Sequence, residues 1–481
     1  MQLDSTTSTF ANVTGTASLN GLVGAAFLPG SNVTKQYSIL TAARGVSGTF
    51  SGVDPLGLPS GLVASLSYDA THAYLNFTLD YGAKSNLNVK QQNVATTLQN
   101  FFNANGGISA VFAGLTPTGL TQASGEGATG SQQATFNAMG LFLGLLTDPF
   151  VAGRDGGLGG GASAVPFAEE SASLVDAARK TDARDAFASI YRKAPAPQLD
   201  FDQRWSVWAA GYGGSQTTSG NAVIGSNNTT SSVYGTAVGV DYRVSPNTIT
   251  GFALAGGGTN FSVNGLGWGR SDLFQAGAFV RHNIGPAYIS AALAYGWQDV
   301  TTDRIVTAAG IDHLRAEFNA NTWSGRLESG YRYATPLMGV TPYVAGQFAT
   351  FNLPNYAEAV VSGGGAFALN YTAKSVTDTR SELGLRTDRS FALDSGLLTL
   401  RGRVAWAHDF NPDRNIGAVF QALPGTAFVV NGAAQARDSA LTTASAEMKW
   451  RNGWSAAATF EGEFSGVTQS YAGKGVMRYS W

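Results

Sequence analysis

Chemistry at a protein site needs groups that titrate, attack or ligate, so the histidines and their possible partners come first. The chain has 481 residues and four histidines, His72, His282, His313 and His408, each in an alternating or turn-like context. A nucleophilic triad needs a serine, a histidine and a carboxylate brought together. No G-x-S-x-G elbow stands where a strand-to-helix turn would hold its serine. No H-E-x-x-H, phosphate-binding loop or calcium-loop spacing occurs. Cysteine is absent, which removes disulfides and thiolate metal sites. The run GGLGGG lies in a linker-like stretch and not between a strand and a helix, so it reads as flexible chain. Asn227 and Asn228 fall in a loop between strand candidates. The expectation is therefore no catalytic, cofactor-binding or metal-binding residue. What remains is charge spaced by two, as in Arg326 and Glu328 or Arg401 and Arg403, with Arg386 and Glu447 in similar segments. That spacing puts the charges on one face of a strand.

The elements that must carry those charges follow from composition and periodicity. Only 13% of residues are charged and the net charge is -2, so there is no basic excess for nucleic acid and no acidic tail. No run of about 18 apolar residues exists, which excludes a transmembrane helix but not a transmembrane barrel. The start, MQLDSTTSTF, lacks the basic and apolar regions of a signal peptide. If the protein works outside the cytoplasm, a longer chain is expected.

From Trp205 to the end about twelve strand candidates of roughly 11 residues follow one another, the length that crosses an apolar band about 25 Å tall. In SVYGTAVGVDYRV, Tyr234, Thr236, Val238, Val240 and Tyr242 oppose Gly235, Ala237, Gly239, Asp241 and Arg243. One face thus carries aromatics at its ends with small apolar residues between, as an interfacial aromatic belt requires. Phe274, Ala276, Ala278 and Val280 set against Gln275, Gly277 and Arg281 repeat the pattern. Tight turns at 244–247, 283–286 and 451–453 alternate with long connections at 216–231, 259–270, 301–320, 352–377 and 410–437. Short turns at one end and long loops at the other are the outer-membrane barrel arrangement.

Upstream the texture changes. Residues 1–90 read as short strands with polar turns. Residues 91–200 read as helical and glycine-rich. NVKQQNVATTLQNFFN, ATFNAMGLFLGLLTDPF and TDARDAFASIYRK are the helix candidates, the last with Thr181 as cap and Asp182 and Asp185 in its first turn. The chain ends in GKGVMRYSW, where Gly475, Met477, Tyr479 and Trp481 share the apolar face.

These stretches resemble the C-terminal part of a classical (type Va) bacterial autotransporter. RWSVWAAGYGG, YGTAVGVDYR, RLESGYRY, AWAHDF, FQALPGTAFVVNGA and the terminal VMRYSW carry the likeness over about residues 200–481; YSILTAARGVSGTF and GLVASLSYD carry it more loosely upstream. The resemblance implies an all-β fold: a twelve-stranded antiparallel transmembrane β-barrel over 201–481 with a helix in its lumen. A short β-solenoid-like passenger remnant would precede it over 1–90, with a linker over 91–200. It implies an outer-membrane translocator, monomeric, non-enzymatic and without cofactors, that carries its own N-terminal passenger to the cell surface. The implied partners are outer-membrane lipid, the outer-membrane barrel-assembly machinery and periplasmic chaperones. Gly475, Met477, Tyr479 and Trp481 match the terminal signal that the assembly machinery reads. For the lumenal helix the expectation is about 181–196, with Asp182, Arg184, Asp185, Tyr191 and Arg192, because 131–147 is too apolar for a polar lumen. Two other readings stay open at this point: a passive pore with a periplasmic N-terminal domain, and a surface adhesin or enzyme whose active part lies elsewhere.

Overall fold

Alternation of small or polar with apolar residues gives strands that must bury one face, and here they close on themselves. In the computed structural model the described residues are 2–3, 8–28, 32–82, 86–147 and 204–481. The barrel strands are β1 (Trp205–Thr218), β2 (Thr229–Ser245), β3 (Thr248–Val263), β4 (Gly267–Ile284), β5 (Ala287–Val306) and β6 (Asp312–Tyr331). The second half is β7 (Gly339–Leu353), β8 (Lys374–Leu393), β9 (Gly396–Asp409), β10 (Asp438–Trp450), β11 (Trp454–Phe464) and β12 (Thr468–Ser480). Each pairs antiparallel with its neighbours, and β12 returns to β1 in unbroken register from Ser206 opposite Ser480 to Thr218 opposite Thr468. Closure leaves no strand edge to solvent or lipid. Trp481 itself completes the seam: its amide donates to the Trp205 carbonyl at 3.1 Å, and its carboxyl-terminal oxygen accepts from the Trp205 amide at 3.3 Å.

The outward face carries two aromatic rows. Trp323 and Tyr331 on β6 bracket the exposed Leu327. Eight residues of tilted strand between them rise roughly 20 Å along the barrel axis, close to an apolar band. Several strands are longer than that band needs, reaching 20 residues in β5, β6 and β8. Two of the connections expected to be long are therefore short. Val263 to Gly267 is a tight turn, and Val306 to Asp312 spans five residues. The reason is visible in the outward residues beyond the belt, Arg270, Asp272, Asp299, Arg315 and Glu317: strand pairing continues where polarity on both faces erases the alternation. The two longest connections hold their own sheet, ordered Tyr356–Ala357, Leu369–Tyr371, Asn415–Phe420, Ala427–Asn431. It stands over the long-loop end.

The described residues among 2–79 coil into a small β-solenoid. Leu22–Phe27 pairs in parallel with Gly52–Leu56, Ala11–Val13 with Gln36–Ala42, and Ala17–Leu19 with Val46–Gly48. The hairpin Leu62–Tyr68 and His72–Leu79 then covers the Gln36–Ala42 edge. Helix α1 (Val89–Asn105) follows, opened by a reciprocal cap in which Asn88 accepts from the Gln91 amide and the Gln91 side chain accepts from the Asn88 amide. Helices α2 (Ala110–Ala113), α3 (Pro117–Ala123) and α4 (Gly130–Thr147) complete the described upstream chain.

Candidate functional site: the barrel lumen and its mouth

Helix α4 lies inside the barrel, against β1–β7. The expected lumenal helix at 181–196, with Asp182, Arg184, Asp185, Tyr191 and Arg192, lies outside the described residues. The judgement that 131–147 is too apolar for the lumen is overturned. Its physical basis was an evenly polar lumen, but where the helix sits the inward residues of β1–β5 are largely small and apolar, with only scattered polar groups among them. Ala210, Ala237, Ala253, Ala255, Ala292 and Ala294 make a small-residue wall that packs with Met139, Phe142, Leu143 and Leu146 in one apolar cluster. Glycines form the notch: a β-carbon on Gly277 would stand 2.6 Å from Leu146 and 3.0 Å from Phe142, and one on Gly296 would stand 2.8 Å from the Met139 sulfur. Polar groups fix the helix at defined heights. Gln298 donates to the Thr135 hydroxyl at 2.8 Å, Gln275 to the Ala138 carbonyl at 3.2 Å, and Asn137 to the Ser231 hydroxyl at 2.9 Å.

The opposite half of the lumen is charged and internally paired. Arg326 donates to both Glu382 oxygens at 2.8 Å and to Glu328 at 2.9 Å. Glu328, only 1% exposed, also accepts from Arg386 at 2.9 Å and from the Tyr288 hydroxyl at 2.7 Å. Arg380 bridges Asp409 at 2.7 Å and Glu463 at 2.6 Å. Lys474 pairs with Glu461 at 2.8 Å, and Arg401 with Glu447. The inward placement of Arg326, Glu328, Arg386, Arg401, Arg403 and Glu447 agrees with their spacing in the sequence. Arg380, Glu382, Glu461, Glu463 and Lys474 belong to the same wall and share the period-two signal that could have found them. Between this wall and the Asn137, Gly140, Leu141 and Gly144 face of α4 lies a cavity of about 160 Å³.

At the long-loop end the chain entering the lumen is held by two buried ion pairs. Lys90 of α1 bonds Glu126, both at most 1% exposed, and Glu126 also accepts from the Asn227 amide at 2.6 Å and side chain at 2.7 Å. Burial pushes the Lys90 ammonium below the usual lysine range, with Glu126 opposing. On the other side Arg304 clasps Glu358 at 2.6 and 2.7 Å and donates to the Gln122 carbonyl at 3.0 Å. Tyr371 donates to Glu358 at 3.0 Å, and burial holds its phenol well above the usual range. Sequence reasoning missed Lys90, Glu126, Arg304 and Glu358, and no local signal marks them, since each partner is far along the chain.

The histidines stay apart. His72 meets Thr71 at 2.9 Å and Asp69 at 3.0 Å through the same nitrogen, Nδ1, so no relay passes across its ring. His282 faces Thr248, His313 faces Asp303, and His408 faces Asp438. Among the described residues no group of three histidine or acidic side chains could hold a metal ion. On β12, Gly475, Met477, Tyr479 and Trp481 all lie on the outward face, with Tyr479 at 5.1 Å from Trp454 and 5.8 Å from Trp481.

Comparison with known proteins gives the same picture. A family model described as Autotransporter beta-domain matches residues 207–461. An extracellular serine protease of Serratia marcescens is 29% identical over 225 residues, 45% of this chain and 20% of its own length; a second is 30% identical over 181 residues, 37% and 17%. The chain thus spans about a fifth of those relatives. Similar solved structures include the translocator domain of autotransporter NalP from Neisseria meningitidis, with 16% identity, TM-score 0.47, and coverage of 62% of this chain and 95% of that one. Another is the beta domain of the Bordetella autotransporter Brka, with 18% identity, TM-score 0.44, and coverage of 58% and 100%. With more than half of its length matched by the family model, the chain belongs to the autotransporters, as an outer-membrane translocator barrel.

Proposed function

We propose that residues 1–90 are the end of the passenger, that 91–200 link it to the barrel, and that the arrangement described is the state reached after export. Connectivity carries this reading. The solenoid and α1 stand at the long-loop end, α4 runs from that end into the lumen, and Trp205 begins β1 at the opposite end. The chain therefore has to pass through the barrel once. We also propose that β12 is read during assembly by the outer-membrane barrel-assembly machinery, after delivery by periplasmic chaperones. Its outward row Gly475, Met477, Tyr479 and Trp481 offers an alternating apolar strand for edge pairing. The barrel acts as a monomer and catalyses nothing itself; any activity such as that named for the Serratia proteases would reside in a passenger.

The test is to give the chain a signal peptide, purify outer membranes, and compare boiled and unboiled gel mobility with protease added outside the cells. A heat-dependent shift with loss of residues 1–130 to protease is expected. A shift with those residues protected would refute surface display and leave a pore with a periplasmic domain.

A further inference from the structure

The sheet built from the two longest external connections is more than a cover. Its inward face, Leu369, Tyr371, Ile416, Ala418, Phe420 and Val430, is at most 3% exposed, and it belongs to one apolar cluster that reaches back to Leu3 and Phe77 of the solenoid. Phe112 of α2 joins the two, 5.4 Å from Phe367 and 5.2 Å from Phe420, edge-on to both. The last strand of that sheet, Ala427–Asn431, has a free edge. Its outward carbonyls are met by α1 side chains: Asn93 donates to Val429 and Thr97 to Ala427, each at 3.0 Å. An edge of this kind is a template for an extended chain until something covers it. The ion pairs Arg304–Glu358 and Lys90–Glu126 then close over the same segment from two sides.

We propose that this external sheet is a docking platform of the barrel for residues 86–129 of its own passenger junction, on which the emerging chain folds and by which it is then held. The inference rests on the translocator reading above. Segment 86–129 is the occupant because its α1 polar face fits the sheet edge and its α2 aromatic fills the sheet face. Burial there becomes available only as the chain leaves the mouth, so folding on the platform opposes return into the lumen.

The chain has no cysteine, so Ala418→Cys supplies a single thiol beneath the docked segment. In intact cells carrying the full chain, that thiol is expected to resist a membrane-impermeant maleimide. Adding Phe112→Ala, or Asn93→Ala with Thr97→Ala where core truncation impairs folding, should raise the labelling rate at least about tenfold, the effect of about 1.4 kcal/mol of lost docking. With protease added outside the cells, Phe420→Ala should shorten the lifetime of the displayed residues 1–130 several-fold, with the heat-shifted barrel formed on time. Free labelling with the native junction, or unchanged labelling and lifetime in these variants, would overturn the platform while surface display stands. Failure of residues 1–130 to reach the surface in the native chain, with a normal heat shift, would overturn the translocator reading and the platform with it.

Discussion

Replacing Phe142 and Leu146 by alanine should unseat α4 and open the lumen. Both side chains are fully buried, and both press on the Gly277 notch. Phe→Ala in a packed core costs about 3–5 kcal/mol and Leu→Ala about 2–5. The two are one helical turn apart and share a contact surface, so their costs do not add in full. A combined loss of about 4–8 kcal/mol lowers the ratio of seated to unseated helix by roughly three to six powers of ten. The strands should be untouched, because β1 and β12 pair directly with each other along the whole seam and that ladder does not run through α4. Single-channel conductance of the purified protein in planar bilayers reads the effect, with gel mobility before and after boiling as the control for an intact barrel. The double variant should conduct continuously where the native protein is mostly closed. Asn137→Ala, which removes one hydrogen bond to Ser231 beside the polar cavity, should stay near native. A double variant with native conductance and an intact barrel would show that the apolar seat does not hold the helix.

Deleting Trp481 removes both terminal hydrogen bonds to Trp205 and should sharply lower the amount of heat-shifted barrel in outer membranes; native levels would sink the assembly-signal role. Arg386→Met leaves Glu328 buried with fewer donors and should destabilise the barrel by about 3–5 kcal/mol, read as a lower urea midpoint. Adding Glu328→Gln should recover most of that loss. Burial raises the phenols of Tyr81, Tyr356 and Tyr371. A raised folded pKa gives stability that is complete below the unfolded value of about 10 and lost as pH climbs towards the folded one. Lys90, held low, acts in the opposite sense just below its unfolded value of about 10.4. Proteolysis of the 1–130 region should therefore accelerate only above about pH 10.5, with tyrosinate absorbance rising together with it. A single absorbance rise centred near pH 10 that accounts for all 17 tyrosines, with no change in proteolysis, would place these phenols in water.

Much of the barrel was legible because a lipid-facing strand has to declare itself. Tyr234, Val238 and Tyr242 must be apolar on one face, and Asp241 on the other face can be charged only if it points inward, where Trp208 donates to it at 3.0 Å. Beyond the aromatic belt that demand stops. Asp272, Asp299 and Glu317 face water outside the membrane, so the outward face of β4–β6 loses its apolar signature although hydrogen-bonded pairing continues. Strand ends were for this reason the least readable feature. The mouth was unreadable for another reason. Lys90 and Glu126, or Arg304 and Glu358, mean nothing in isolation, because a buried pair is defined by its partner and each partner lies on a different element.

The lumenal helix shows how an averaged property misleads. Counting Arg326, Glu328, Arg386, Arg401, Arg403 and Glu447 suggests a polar interior, yet all six come from β6–β10. Where α4 sits, the strands β1–β5 contribute alanine and glycine inward between their polar and aromatic residues, and these small residues weigh little in such a count. Their effect is steric. A wall without side-chain bulk admits a helix about 10–12 Å wide on one side of the lumen, and only an apolar helix gains by packing there. A charged helix would face the desolvation cost of that wall, and the opposite wall offers it little in return, because its charges already satisfy one another. The apolar α4 and the paired charges are thus two parts of one arrangement: each half of the lumen is matched to what fills it, and the cavity lies along the line where the two halves meet.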